Sequence, residues 1–365
     1  MITIADYFYH LPKEKIANKP AEPRDHSKLL LLNRQTGQIE HTQFFQIAQN
    51  LTSADVLVLN QTKVFPARLF GKKITGGKVE VLLLKQLSIN SWQAISRPGL
   101  KIGQGLSFAQ ELVGEVVAIP EDGQIELAFN FSDAELLQRL DKIGLTPLPP
   151  YIESTAEEDQ IRRQYQTVYA INRGSAAAPT AGLHFTDELL EKIAKKGVQI
   201  EKITLHVGLG TFQNLRPENI EQRKLHEEFF EIDQQVAERL NQAKKHGKRI
   251  VAVGTTTTRA LESSWLQSCH KSTDETTLDG SILAGQSSTQ LFIFPPRKFN
   301  FVDALITNFH LPESSLLMLV SAFTSTPNSS HQFVNFQNST IGRAYQEAIE
   351  KNYRFFSFGD AMFIS

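Results

Sequence analysis

Runs of apolar residues divide this chain into two regions of different periodicity. Within residues 65–150 the runs are short and alternate with polar positions, as in KVEVLLL and GEVVAI, and turn-forming pairs such as Gly76-Gly77 and Pro98-Gly99 separate them. This pattern predicts antiparallel strands. We therefore predict a small β-barrel, which the chain leaves through PLPPY at residues 147–151.

Beyond residue 150 helices and strands are predicted to alternate. Helical spacing covers 187–196 and 233–246, and apolar, β-branched runs cover 199–207 and 249–253. Such alternation is typical of an α/β layer, and the run VLVLN at 56–60 is expected to join it. The predicted fold class is α/β: a multi-layer α/β main domain (1–64 plus 151–365) with an inserted small antiparallel β-barrel domain (65–150).

One apolar run ends in a cluster of polar side chains. In ALITNFHLPESSLLMLVSAF, residues 304–323, a predicted strand runs into Thr307, Asn308 and His310, and a helix start follows. These side chains are candidates for a binding or catalytic site. For a single such segment, a polar turn that satisfies its own backbone is an equally good explanation.

Three further segments share this layout. They are ITLHVGLGTF at 203–212, VAVGTTTTRALES at 251–263 and APTAGLHFTDELL at 178–190. If the strands run parallel in one sheet, their carboxyl ends lie along one edge, where open α/β sheets bind ligands. Four residues then become candidates for one pocket: His184, His206, Arg259 and His310.

Several longer motifs resemble one enzyme family. They are LPKEKIANKPAEPRDHSKLLLL near the start, VLVLNQTKVFPARLFGKK, LPPYI, and FFSFGDAMFI near the end. In this order, and over nearly the whole chain, they are similar to the S-adenosylmethionine:tRNA ribosyltransferase-isomerases of queuosine synthesis. The resemblance implies the same two-domain plan.

The resemblance also implies a reaction and its partners. S-Adenosylmethionine is the ribosyl donor and co-substrate, and the acceptor is tRNA carrying 7-aminomethyl-7-deazaguanine at the wobble position. Adenine and methionine are released, and the product is epoxyqueuosine in tRNA. No metal and no permanently bound cofactor are implied. Because the sulfonium acidifies the neighbouring 5′-methylene, such a site needs a general base near that carbon.

Three histidines are candidates for acid or base catalysis. His184, His206 and His310 carry the side chain that titrates near neutral pH, so each could remove the 5′-proton or protonate adenine. A lone histidine at a strand end also occurs as a structural hydrogen-bonding group. Three of them at the strand ends of one sheet favour a catalytic role for at least one.

Co-substrate binding is predicted mainly around the four consecutive threonines. Thr255 and Thr256 open a helix whose free N–H groups suit the methionine carboxylate or a tRNA phosphate, although helix capping alone explains them. Arg259 and Glu262 share one helix face and could instead pair with each other. The candidate binding residues are Thr180, Gly208, Gly210, Thr211, Thr255, Thr256, Arg259, Glu262 and Asn308.

Charge is distributed unevenly, although the net charge is only −1. Residues 61–105 contain eight basic residues against Glu80 alone, a local balance of +7. Such a cluster suits the phosphate backbone of a nucleic acid, while lysines on a solvated β-sheet face are the alternative explanation. The candidate tRNA-binding residues are Arg68, Lys72, Lys73 and Arg97.

Composition limits the remaining possibilities. The 365 residues are 41% hydrophobic and 21% charged, which fits a globular protein with room for two domains. No apolar run approaches the roughly 20 residues that span a bilayer, and a basic-then-apolar signal is not evident. We expect a cytoplasmic protein with no membrane partner, and a monomer. The single cysteine, Cys269, excludes an internal disulfide and any multi-cysteine metal cluster.

Two other functions stay open from the residues themselves. An S-adenosylmethionine-dependent tRNA methyltransferase would use the same co-substrate, and VGLGT at 207–211 resembles a glycine-rich nucleotide loop without its full spacing. A noncatalytic RNA-binding protein would explain the basic segment but not the polar strand ends. Labelled co-substrate separates the three, because ribose carbon, the methyl group or neither would enter tRNA.

Overall fold

The computed structural model describes residues 2–120, 123–149, 151–152, 156–208, 215–271 and 280–365. Its strands, in chain order, are β1 (Lys28–Leu32), β2 (Ile39–Gln43), β3 (Asp55–Asn60), β4 (Thr62–Val64), β5 (Arg68–Lys73), β6 (Lys78–Gln86), β7 (Ser91–Arg97), β8 (Gly105–Ser107), β9 (Val113–Ala118), β10 (Gln124–Phe129), β11 (Asn172–Ser175), β12 (Gln199–His206), β13 (Lys224–Ile232), β14 (Arg249–Val253), β15 (Gly285–Leu291), β16 (Ala304–Asn308) and β17 (Ala361–Ile364). Its α-helices are α1 (Asp133–Ile143), α2 (Glu158–Gln164), α3 (Asp187–Lys195), α4 (Pro217–Gln222), α5 (Gln234–Lys245), α6 (Thr255–Lys271), α7 (Ser315–Phe323) and α8 (Thr340–Glu350). Within these ranges no helix combines the length and apolar character needed to cross a membrane.

A nine-stranded sheet forms the centre of the larger region. Its strand order is β15-β13-β12-β3-β14-β16-β17-β1-β2. The four neighbouring strands β12, β3, β14 and β16 run parallel. Their carboxyl ends, at His206, Asn60, Val253 and Asn308, therefore lie along one edge of the sheet. The parallel arrangement expected for the strands before His206, Arg259 and His310 is confirmed.

The residues of strand β3 show that this sheet is covered on both faces. All six residues of DVLVLN are buried, as is typical of a strand in the interior of an α/β fold. Val56 and Val58 belong to one hydrophobic cluster, whereas Leu57 and Leu59 belong to another, because successive side chains of a strand point to opposite faces. The sheet lies between two apolar layers, so the predicted multi-layer α/β arrangement is confirmed.

Strands β5 to β10 form a closed antiparallel barrel, in the order β10-β7-β6-β5-β8-β9. Ile125, Leu127 and Phe129 are buried and alternate along β10 with half-buried residues, which is the period of a strand with one face turned inward. The chain enters the barrel after β3 and returns to the large sheet at β12, so the predicted insertion is confirmed. The limits at residues 65 and 150 remain a prediction.

Helices α3 and α5 begin within one residue of the starts predicted from the sequence, and a side chain caps each of them. The Thr186 side chain accepts the Leu189 N–H before α3, and the Asp233 side chain accepts two N–H groups before α5. The segment before α3 differs from the other strand ends, because residues Thr180–His184 form a 3-10 helix and not a strand of the sheet. Pro179 has no N–H for a strand ladder, which disfavours a central strand here.

Candidate active site

A cavity of about 610 Å³ opens at the carboxyl edge of the parallel strands. Three strands contribute residues that follow them: Val207 after β12, Thr255 after β14 and His310 after β16. The connection from the barrel adds Pro149 and Tyr151. The edge that the sequence predicted as a ligand site therefore carries a cavity of the size that small-molecule ligands occupy.

His310 lies in the cavity wall and is 5% exposed. Its Nε2 lies 2.9 Å from Thr307 Oγ1, and its backbone N–H donates to Tyr345 Oη at 3.0 Å. No described residue forms a hydrogen bond with its Nδ1. Burial lowers the pKa of His310 to about 3, because a buried imidazolium loses its hydration. The ring is therefore neutral at physiological pH, with one nitrogen unbonded.

Arg259 lines the cavity from the second turn of α6. Its Nη1 pairs with Glu228 of β13, and its Nε donates to the Leu291 carbonyl at 3.2 Å. Its Nη2 is buried and has no hydrogen-bond partner among the residues that the structure describes. A buried donor without an acceptor costs free energy, so a ligand oxygen at this point would be stabilised. Arg259 pairs with Glu228 and not with Glu262.

The first turn of α6 presents two threonines to the cavity. Thr255 and Thr256 line it, whereas the hydroxyls of Thr257 and Thr258 donate to backbone carbonyls one turn earlier. Gly254, with a φ of +90°, makes the sharp turn from β14 into the helix. Because the first N–H groups of a helix lack acceptors within it and the helix dipole is positive there, this corner favours an anion.

Asn308 connects the cavity wall to a buried histidine. Its Nδ2 donates to the Phe356 carbonyl at 3.1 Å and lies 3.2 Å from His184 Nε2. His184 Nδ1 lies 2.8 Å from Ser27 Oγ. Asn308 lines the cavity, and its Oδ1 is buried without a partner in the described ranges. His184 itself does not line the cavity.

His206 is the last residue of β12 and does not line the cavity. Its Nδ1 lies 2.8 Å from Thr62 Oγ1, and its ring stacks on Phe229 with 5.7 Å between the ring centroids. Gly174 packs against the ring so closely that an added Cβ would come within 2.7 Å of it. Of the three predicted catalytic histidines, the structure brings only His310 to the cavity wall. Catalytic roles for the other two stay predictions.

The remaining predicted binding residues fall into three groups. Thr180 lines the cavity, together with the two threonines, arginine and asparagine described above. Glu262 and Gly208 do not line it; the Glu262 carboxylate instead accepts N–H groups from three consecutive residues before β16. Gly210 and Thr211 lie outside the described residues. The described part of the chain holds no group of three or more His, Cys, Asp or Glu placed to bind a metal ion.

Several lining residues were missed by sequence analysis. His226 and Glu228 lie on β13, and Ser357 lies near the carboxyl terminus, where its hydroxyl hydrogen-bonds to Tyr151 Oη. Neighbouring Phe356 has a φ of +74°, which is unusual for an aromatic residue and typical of functional sites. In the sequence, PLPPY at 147–151 indicates the exit from the barrel, and LPPYI and FFSFGDAMFI resemble family motifs. Periodicity alone does not show that they meet at one cavity.

The predicted tRNA-binding residues lie on β5 and β7 of the barrel. Lys72 and Arg97 are exposed, and Lys73 is half-buried. Arg68 is also half-buried, and its Nη1 lies 3.3 Å from Glu80. The basic segment therefore contains both free surface cations and a cation engaged in the barrel wall.

Comparisons with known proteins agree with one another. A family model described as queuosine biosynthesis protein matches residues 4–364. A relative from Fusobacterium nucleatum, named S-adenosylmethionine:tRNA ribosyltransferase-isomerase, is 47% identical over 365 residues and covers 99% of this chain and 96% of its own. A relative of the same name from Clostridioides difficile is 46% identical over 98% of each chain. A crystal structure from Thermotoga maritima, titled S-adenosylmethionine tRNA ribosyltransferase, is 36% identical, covers 99% of this chain and 100% of its own, and has a TM-score of 0.52.

Proposed function

The chain belongs to the queuosine biosynthesis family of S-adenosylmethionine:tRNA ribosyltransferase-isomerases. We propose that the cavity is the site at which the enzyme transfers the ribosyl group of S-adenosylmethionine to tRNA and isomerises it. The protein is a transferase. The acceptor is 7-aminomethyl-7-deazaguanine at the wobble position, adenine and methionine leave, and epoxyqueuosine is the product. The family match over residues 4–364 carries this proposal. The relatives' names support neither methyl transfer nor noncatalytic RNA binding.

Arg259 and the first turn of α6 are suited to the methionine carboxylate of the co-substrate. The unpartnered Nη2 of Arg259 offers a charge-assisted hydrogen bond to a carboxylate oxygen. Thr255 and Thr256 lie at the positive end of the helix dipole. Glu228 balances the charge of the guanidinium, so the cavity wall does not contain an isolated buried cation.

His310 is the residue best suited to move protons in this cavity. Its neutral ring can accept the proton from the 5′-methylene at the unbonded Nδ1. The imidazolium that forms is disfavoured in a buried site, which favours passing the proton on to the departing adenine. One histidine would then act first as a base and afterwards as an acid, with no net proton gained by the enzyme.

The outer face of the barrel is suited to the tRNA backbone. Cross-strand pairing places Lys72 beside Lys78, and Arg97 beside Glu80. Phe70 projects from the same face of β5 as Lys72 and is 57% exposed. Exposed cations near an exposed aromatic ring are a common surface for single-stranded nucleic acid, because the cations bind phosphates and bases stack on the ring.

Three finer expectations accompany this proposal. The enzyme should act in the cytoplasm, where its tRNA substrate is found, and it should act as a monomer. S-Adenosylmethionine should be consumed as a co-substrate, with no metal and no permanently bound cofactor required. Full activity after exhaustive chelation and dialysis is the expected result for the last of these.

Product analysis tests the proposed reaction directly. Purified protein, S-adenosylmethionine and tRNA carrying the aminomethyl-deazaguanine should yield adenine and methionine in equal amounts, while ribose carbon enters the tRNA. Co-substrate labelled in the ribose or in the methyl group provides matched arms of the experiment. Formation of S-adenosylhomocysteine, with methyl label in the tRNA, would contradict ribosyl transfer, and tRNA binding without any product would contradict catalysis.

A further inference from the structure

The side chain of Asn308, in the cavity wall, has a buried oxygen, Oδ1, that accepts no hydrogen bond from the described residues. Asn308 is 2% exposed. Its Nδ2, in contrast, has two acceptors, the Phe356 carbonyl and His184 Nε2. Buried polar atoms are normally hydrogen-bonded. Because Asn308 is a residue of the cavity wall, an N–H group of a ligand is a candidate partner for this oxygen.

The Phe356 carbonyl decides which way the Asn308 amide faces. A backbone carbonyl can only accept hydrogen bonds, so the amide atom 3.1 Å from it must be the nitrogen. If the amide were flipped, two oxygens would face each other in a buried site. The orientation with Nδ2 toward Phe356 leaves Oδ1 as the remaining polar atom of the side chain.

This orientation in turn decides the tautomer of His184. Because Asn308 Nδ2 is a donor, the facing Nε2 of His184 must be unprotonated and accept. The imidazole is neutral, since burial, Arg354 and Arg24 lower the pKa of His184 to about 3. Its single ring proton is therefore on Nδ1, where Ser27 Oγ accepts it at 2.8 Å.

We propose that Ser27 and His184 are positioning residues, which hold the Asn308 amide so that Oδ1 presents a hydrogen-bond acceptor to an N–H donor of the substrates. This inference rests on the proposed function for the identity of those substrates. Two of their groups have the required chemistry: the exocyclic amine of adenine and the aminomethyl group of the tRNA base. His184 would then serve the reaction without touching a reacting atom.

The His184 tautomer can be measured without any activity. In protein labelled with ¹⁵N-histidine, the resonances of His184 are identified by their loss in His184→Gln. We expect a protonated Nδ1 and an unprotonated Nε2, unchanged between about pH 6 and pH 8 because the pKa lies far below this range. Ser27→Ala should disturb the Nδ1 signal. A protonated Nε2 in the wild-type protein would overturn the proposed orientation.

Kinetics test whether the oriented oxygen binds a substrate. His184→Leu removes the acceptor that holds Nδ2, and Asn308→Ala removes Oδ1. Each should raise the KM of one and the same substrate by about 3- to 10-fold, with a smaller effect on kcat, as for the loss of one hydrogen bond made in the ground state. The double variant should lose little more than the worse single variant. His184→Gln, whose side-chain oxygen can accept from Nδ2, should restore most of the affinity.

The substrate whose KM rises identifies the donor. A raised KM for S-adenosylmethionine, together with lost discrimination against its inosine analogue, assigns adenine; a raised KM for tRNA assigns the aminomethyl group. Ser263→Ala is the matched control, because it also removes a buried hydroxyl but lies on α6 opposite Thr289, outside the cavity lining. Unchanged KM values in Asn308→Ala, or additive effects in the double variant, would overturn the proposal. If His184→Leu does not fold, Ser27→Ala and the ¹⁵N spectra still decide it.

Discussion

At the scale of single residues, burial decides which protonation state the cavity offers. His310 is neutral because its ring is buried, and burial lowers the pKa of the imidazole to about 3. His206 is less buried, but its Nδ1 is engaged by Thr62 and its ring by Phe229. Both histidines lie at the same edge of the sheet, His206 at the end of β12 and His310 after β16. Of the two, only His310 combines a ring nitrogen without a hydrogen bond with a place in the cavity wall.

Substitutions of these two histidines should have different effects on activity. His310→Ala should fold but lower the rate of adenine release by about 10²–10⁴-fold, the usual cost of losing a general acid or base. His206→Asn should retain turnover within about tenfold, since Asn can still hydrogen-bond Thr62. Rates are measured with saturating co-substrate and tRNA, after thermal melts confirm folding. If His206→Asn lost as much activity as His310→Ala, a position in the cavity wall would not distinguish the catalytic histidine from the other one.

At the scale of elements, α6 contributes residues to the cavity wall and also contacts two strands or strand connections of the large sheet. Its first turn lines the cavity, and one turn later Arg259 pairs with β13. Further along, the carboxylate of Glu262 accepts backbone N–H groups of Asn300, Phe301 and Val302 just before β16 begins. Burial raises the pKa of Glu262 despite these three donors. The helix thus holds the segment that leads into the strand carrying Asn308.

Glu262 provides the element-scale prediction. Glu262→Gln should change the free energy of unfolding by less than about 1 kcal/mol, because the amide oxygen still accepts N–H groups and no charge is buried. Glu262→Ala should cost about 2–4 kcal/mol, since the buried N–H groups of Phe301 and Val302 lose their acceptor. Urea denaturation measures both. The KM for S-adenosylmethionine should stay unchanged in Glu262→Gln, and a large increase would instead support direct contact with the co-substrate.

At the scale of the whole molecule, the barrel and the sheet are joined next to the cavity. Strands β4 and β11 pair in parallel where the chain passes between the two regions. Arg68, at the start of β5, donates to the Leu148 carbonyl at 2.8 Å, and the following Pro149 lines the cavity. A tRNA bound along the barrel would therefore lie next to the connection that supplies Pro149 to the cavity wall.

The whole-molecule prediction separates surface cations from structural ones. Arg97→Ala should weaken tRNA binding and reduce the slope of log K against log salt by roughly 0.7–0.9, the value for one lost phosphate contact. Arg68→Ala is the comparison, because its guanidinium is already engaged by Glu80 and Leu148. Filter binding over a salt series measures both slopes. An unchanged slope for Arg97→Ala would support a solvated barrel face without RNA contact.

The sequence by itself determined most of the elements and the edge of the sheet at which the cavity lies. The apolar residues 56–59 of β3, the helices α3 and α5, and the polar residues after β14 and β16 follow from local patterns, because periodicity records which faces are buried. The family resemblance likewise needed only the order of motifs. For the same reason, the barrel insertion could be predicted from the change of period near residue 65.

Only the tertiary structure decided which side chains meet. His206 and His310 are alike in sequence context, but packing around Gly174 and Phe229 holds one ring away from the cavity. Segments far apart in the chain supply Tyr151, Glu228 and Ser357 to the same wall. The periodicity of a segment shows which of its faces is buried but does not identify the residues that pack on that face. Contacts between residues far apart in the chain form only when the sheet is assembled. The open acceptor of Asn308 also appears only when the partners of its nitrogen are known.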